Sequence, residues 1–135
     1  MWCTALLLAI SGCATGLGTK DVARVLPSLD PGKGRVFVYR SSSMGSGYVP
    51  EVLLNGEALG KFSQPGVVVR DLPPGSYALA TTKSAKIVNF AMRAGETKYV
   101  RLTGGFFDLH MHPELVDPAK GEADVSGLGP ATFRR

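Results

Sequence analysis

Between Arg35 and Leu102 the apolar residues recur at every second position, in short runs parted by Gly, Pro and Asn. A period of two sends successive side chains to opposite faces of a strand. In Arg35-Val-Phe-Val-Tyr-Arg40, Val36 and Val38 point one way and Phe37 and Tyr39 the other, which predicts a strand covered on both faces. Val52 to Leu54 is the next strand and Glu57 to Phe62 its return. Asn55-Gly56 between them predicts a two-residue hairpin, because both residues tolerate positive φ. After a turn at Ser63 to Gly66 comes Val67 to Leu72. Pro74-Gly75 predicts a type II turn, with Pro setting φ at its second position and Gly supplying positive φ at its third. Tyr77 to Thr82 follows, then Lys86 to Arg93 with Val88, Phe90 and Met92 on one face. Beyond a turn at Ala94 to Glu96, Lys98, Val100 and Leu102 alternate with Tyr99 and Arg101. Gly104-Gly105 interrupts the pattern, and Phe106 to His112 is expected to resume it as a last strand.

Short strands at near-regular spacing, punctuated by Gly and Pro, predict an all-β fold, a small antiparallel β-sandwich over residues 34–125. No helical period is sustained. One helical turn is expected near Asp21 to Leu26 and another over Pro118 to Ala123, and residues 126–135 read as a frayed C-terminal tail.

The first residues follow another rule. Ala5 to Ile10 is an apolar run far shorter than the ~20 residues a membrane-spanning helix needs. It suits the apolar region of a secretory signal. The run ends in Ile10-Ser11-Gly12-Cys13, which resembles the lipobox of a bacterial lipoprotein signal peptide. That resemblance implies a diacylglyceryl group on the Cys13 thiol, cleavage after Gly12 and acylation of the freed amine. One departure is the opening Met1-Trp2-Cys3-Thr4, which carries no Lys or Arg. Ala14 rather than Asp after the Cys favours the outer membrane, by resemblance to Gram-negative sorting. Residues 1–12 are thus expected to be the signal. Residues 13–33, with Gly16, Gly18, Pro27, Pro31 and Gly32 among polar neighbours, are expected to be the lipidated Cys and a flexible tether.

Processing would remove Cys3 and occupy Cys13, leaving no disulfide, thiol nucleophile or thiolate metal site. The net charge of +4 is too mild for a nucleic-acid signature. It is unevenly spread. Lys61, Arg70, Lys83, Lys86, Arg93, Lys98 and Arg101 face only Asp71 and Glu96 in their stretch, whereas Asp108 to Asp124 holds five acids against Lys120. The plain reading is two solvated faces that attract each other. The sharper one is a basic sheet face directed at anionic lipid or glycan phosphate.

Gly34-Arg-Val-Phe-Val-Tyr-Arg40, Leu54-Asn-Gly-Glu-Ala-Leu-Gly60, Leu72-Pro-Pro-Gly-Ser-Tyr77 and Arg93-Ala-Gly-Glu-Thr-Lys-Tyr-Val100, in that order, resemble the bacterial lipoprotein family called domain of unknown function 2846. The resemblance covers about residues 33–117. It implies a small envelope β-sandwich, transthyretin-like or carboxypeptidase-regulatory-like. It implies no reaction, and no catalytic residue carries over.

The best chemical constellation is Asp108-Leu-His-Met-His112. On a strand, Asp108, His110 and His112 share a face, with Glu114 close by, and two imidazoles and a carboxylate suit zinc or nickel. Parallel side chains on one open strand do not converge on one ion, so no tight metal site and no cofactor is expected. A Ser46, His110 and Asp108 triad can be drawn, but no nucleophile-elbow pattern surrounds the serines. Tyr39, Tyr48, Tyr77 and Tyr99 are candidates for a carbohydrate groove, or for half-buried packing. The expected role is a non-enzymatic interaction or structural module, anchored through Cys13, with an envelope protein or glycan as partner. A ligand-binding module for glycan or metal, at the Ser41 to Tyr48 loop or the His110/His112 segment, is the alternative, and an enzyme ranks third.

Overall fold

The computed structural model describes residues 26–41, 49–62, 65–104 and 110–130. The strands are β1 (Gly34–Arg40), β2 (Glu51–Leu54), β3 (Glu57–Lys61), β4 (Gly66–Leu72), β5 (Gly75–Thr81), β6 (Ile87–Met92), β7 (Thr97–Thr103) and β8 (His112–Val116), and helix α1 (Pro118–Val125) follows. They form two four-stranded sheets. Sheet A has the order β4-β1-β7-β8 and sheet B the order β3-β2-β5-β6. The expected all-β sandwich is therefore the fold, with one addition: β1 and β7 run parallel, while the other pairings are antiparallel.

The core between the sheets is built from alternate residues, including Val36, Val38, Val52, Leu54, Leu79, Phe90, Met92, Val100 and Leu102. A second apolar cluster lies on the outer face of sheet A. It holds Phe37, Tyr39, Val67, Tyr99 and Val125, with Leu26 and Leu128 packed against it. Every residue of β1 is buried, as its two apolar faces predict. The Phe37 and Tyr99 rings stack with centroids 4.8 Å apart.

α1 supplies the cover. The Asp117 side chain accepts from the Ala119 N–H at 3.1 Å, and Pro118 occupies the first turn. A short polar acceptor followed by a residue with preset φ is a helix start encoded locally. Gly121 lets the helix sit directly on sheet A, because a Cβ there would lie 2.2 Å from the Tyr99 ring. The Tyr39 hydroxyl donates to Asp124 at 2.6 Å and ties the helix down from below. No described helix is long and apolar enough to cross a membrane.

Several local expectations change. Asn55 and Gly56 have φ of 50° and 80°, as the hairpin requires. Gly75 has φ 159° and opens β5 opposite Met92, so Pro73-Pro74-Gly75 is a crossing between sheets and not a type II turn. The Tyr77 hydroxyl donates to the Pro73 carbonyl at 2.5 Å and holds that crossing, as in the tyrosine corner of other sandwiches. Leu26 and Pro27, expected in the tether, dock on sheet A, and Pro27 O accepts from Arg35 at 2.8 Å. Of the expected tail, Leu128 packs on the outer cluster and Gly129 O accepts from the Val67 N–H at 3.0 Å.

Candidate functional site

Two places combine polar chemistry with the sandwich's geometry. The first is the end of the sandwich where β1 and β7 finish and β8 begins. Arg40, the last residue of β1, is fully buried there, and its Nη1 donates to Phe62 O at 3.0 Å. Removal from water draws the Arg40 guanidinium below its ordinary pKa. Beside it the Thr81 hydroxyl donates to Met111 O at 2.6 Å, joining sheet B to the segment that leads into β8. Ser84 Oγ lies 2.7 Å from His112 Nδ1 and accepts from the Lys86 N–H at 3.1 Å. These bonds fix the β5–β6 connection against the first residue of β8. A Ser–His pair is also the first half of a nucleophile–base unit. Sequence reasoning missed it, because 28 residues separate the partners and no local pattern links them.

His110 and His112 of the expected metal constellation do not share a strand face. β8 starts at His112, whereas His110 sits in a bend and is exposed. Asp108 lies outside the described residues, as do Ser46, Tyr48 and Cys13. Of the expected strand Phe106 to His112, residues 106–109 lie outside the described residues, His110 and Met111 precede β8 and His112 opens it, where pairing with β7 is decided by what lies opposite. Glu114 meets Arg101 at 2.8 Å, Leu115 meets Val100 and Pro113 meets Leu102. A prolyl residue is tolerated there because β8 is an edge. Among the described residues no group of three or more His, Cys, Asp or Glu is placed to hold one ion. The described tyrosines do not assemble a groove either. Tyr39 and Tyr99 are buried beneath α1, and Tyr77 is half-buried with its hydroxyl engaged.

Part of the charge asymmetry is taken up by pairs on sheet A. Arg101 reaches Glu114 at 2.8 Å and Asp124 at 4.0 Å, and Lys98 reaches Glu96 at 2.6 Å. The hydrogen bond from Tyr39 holds the Asp124 carboxyl below its ordinary pKa, with Lys120 and Arg101 adding to it. Arg35 grips Asp71 at 2.7 and 3.0 Å and holds it below its ordinary pKa as well.

The second place is the outer face of sheet B. A shallow recess of about 360 Å³ is lined by Asn55, Ser76, Tyr77, Ala78, Asn89, Phe90 and Ala91. Asn55, Ser76 and Asn89 bring amides and a hydroxyl to it, Ala78 and Ala91 small apolar groups, and no lining residue is charged; the Tyr77 and Phe90 side chains turn inward to the core. Asn55 Oδ1 accepts from the Ala78 N–H at 2.8 Å, which fixes one of those amides. Such a surface suits an uncharged, hydrogen-bonding partner better than an ion.

The family model described as Protein of unknown function (DUF2846) matches residues 30–109. The match begins before β1 and runs past β7, so it contains both sheets except for β8. No curated protein and no solved structure matches the chain. With more than half of its length covered, strand by strand from β1 to β7, the chain belongs to the DUF2846 family.

Proposed function

We propose that the chain is an envelope lipoprotein, held in the outer membrane of a Gram-negative bacterium by acyl chains on Cys13, whose β-sandwich is a non-enzymatic interaction or structural module. The observation that carries this reading is Ile10-Ser11-Gly12-Cys13 closing an apolar run too short to span a bilayer. Each buried methylene contributes about 0.8 kcal/mol, and two or more chains give stable anchoring. The sandwich suits presentation. The chain enters it through Leu26 and Pro27 on sheet A, which leaves the outer face of sheet B uncovered by described residues. Metabolic labelling with a palmitate analogue tests the anchor. Wild type is expected to take up label and Cys13→Ser to lose it, and label persisting in Cys13→Ser refutes the reading. Crosslinking in intact envelopes followed by a pull-down identifies the partner.

The recess on sheet B favours a second reading, a module that binds neutral glycan. Its amides and hydroxyl supply hydrogen bonds, and Ala78 and Ala91 supply a small apolar contact for a sugar face. Titration of the domain with envelope oligosaccharides checks it. Saturable binding weakened by Ser76→Ala and Asn55→Ala supports the reading, and absence of heat or chemical-shift change removes it.

A further inference from the structure

A β-sandwich ends in four strand edges, and each unpaired edge is a template for another strand. Three of the four are blunted here. β4 is bridged by the C-terminal segment, through Val67 and Gly129–Pro130. β8 carries Pro113 and Glu114. β3 is short, bears Glu57 and Lys61 at its ends, and pairs with β2 through a register shift between Val52 and Leu53. β6 has none of these devices. Its six residues, Ile-Val-Asn-Phe-Ala-Met, include no charge, no proline and no bulge. Among the described residues nothing pairs with its outer side.

The side chains at this margin match an incomplete sheet. The large hydrophobic residues exposed among the described residues are Ile87, at 56 %, and Leu115, at 42 %. Ile87 begins β6, and Leu115 lies on β8, which packs against β6 across the sandwich. Leu115 pairs with the core residue Val100, so it points into the sandwich and is exposed only because the sheets end beside it. One more strand on β6 would cover both residues.

We propose that β6 is the pairing edge for a second copy of this chain, the two β6 strands running antiparallel about a two-fold axis at Asn89. Opposed residues in a continuous sheet must share a face. The register centred on Asn89 meets that condition from Ile87 to Ala91. It sets Ile87 against Ala91 of the partner and Val88 against Phe90 of the partner, so a larger residue meets a smaller one on both faces. Asn89 meets its own copy, and two side-chain amides satisfy each other's donors and acceptors. Lys86 and Arg93, the cations that flank β6, lie outside the paired residues 87–91, and neither is set against the other in this register. The two sheets B become one eight-stranded sheet with both sheets A on the same side. This brings Leu115 of one copy towards its symmetry mate. The interface is isologous and closes at two copies.

The test uses the full chain carrying Cys3→Ser and Cys13→Ser, so that an introduced thiol is the only one. Removing Cys13 separates the result from the anchor, so that either idea can fail while the other stands. Directly opposed Cβ atoms lie about 5 Å apart, close enough for a disulfide with slight adjustment. Ile87 and its copy are four residues out of register, roughly 13 Å apart. Under mild oxidation Asn89→Cys is expected to trap a covalent dimer and Ile87→Cys to stay monomeric. The double variant Ile87→Cys/Ala91→Cys is expected to dimerise again. Sedimentation of the thiol-free chain at raised concentration should approach twice the monomer mass, and Asn89→Lys should abolish the shift with an unchanged circular dichroism spectrum. Equal trapping at residues 87 and 89, or none at either, overturns the proposal. A whole-cell crosslink from Asn89→Cys to a different envelope protein, without homodimer, overturns self-pairing and assigns the edge to a foreign strand.

Discussion

Sheet A is buried on both faces and sheet B on one. β1, at the centre of sheet A, has no exposed residue, whereas β6 of sheet B alternates between exposed and buried. The cause lies in which residues occupy the outward positions. On sheet A they are Phe37, Tyr39, Val67 and Tyr99, large enough to need a cover, which α1, Leu26 and Leu128 provide. On the β5–β6 side of sheet B they are Ser76, Ala78, Ala80, Ile87, Asn89 and Ala91, which mostly tolerate water. One sheet is scaffold and the other is surface. Several ion pairs strengthen the covered side. Arg35–Asp71, Lys98–Glu96, Arg101–Glu114 and Lys120–Asp124 all lie on sheet A or its helix.

The strongest way to break this contrast is to lift the helix. Gly121→Val places a branched side chain where even a Cβ would be 2.2 Å from the Tyr99 ring. Overpacking of this kind costs about 1–3 kcal/mol. Thermal unfolding of the variant is expected to shift down by several degrees, with weaker near-ultraviolet circular dichroism from Tyr39 and Tyr99 as their packing loosens. An unchanged midpoint would show that α1 is not part of the fold's stability.

The contrast also explains what was legible in the chain. β1 to β7 appear in the alternation within a residue or two, and the Asn55-Gly56 hairpin appears whole, because both signals are local. Val36/Val38 against Phe37/Tyr39 already announces the two-faced burial of β1. The parallel neighbourhood of β1 and β7 was not legible, since no turn residue records which distant strand fills a gap. The start of β8 at His112 was not legible, because the alternation runs on through His110 and Met111, which stand outside the strand. The docking of Leu26 and Leu128 was hidden by Gly- and Pro-rich surroundings. Of the candidate site, Ser84 and His112 meet only through the fold. Of the tyrosines singled out as groove-formers or packing, Tyr39, Tyr77 and Tyr99 are packing.

A milder perturbation is acid. Asp124 and Asp71 both sit below their ordinary pKa, held there first by hydrogen bonds from Tyr39 and Arg35. A depressed carboxyl stabilises the fold above its unfolded pKa, about 3.9. That contribution disappears as pH falls from there through the folded value. Stability should therefore drop as pH is lowered below about 4. Both groups lie on the sheet A side, so the docking of α1 is expected to loosen before sheet B does. Hydrogen exchange at pH 3 against pH 6 reads the order directly. Protection lost first in β5 and β6 would reverse the assignment of scaffold and surface.

The smallest effect is expected on the open face. Ala91 is exposed, lines the shallow recess on sheet B and sits opposite Ser76 in the β5–β6 pairing. Ala91→Thr adds a β-branched side chain, which suits a pleated surface, and it meets no cover. Surface changes away from caps, cavities and paired charges fall within about 0.5 kcal/mol of neutral. The unfolding midpoint in urea is accordingly expected to stay where it is, with the same slope. The same enlargement on the covered face, at Gly121, is the contrasting case, and the two variants measured side by side form one experiment. Equal destabilisation by both would mean that sheet B carries a cover of its own. A silent Ala91→Thr beside a damaging Gly121→Val leaves sheet B as the face of the sandwich free to meet something else.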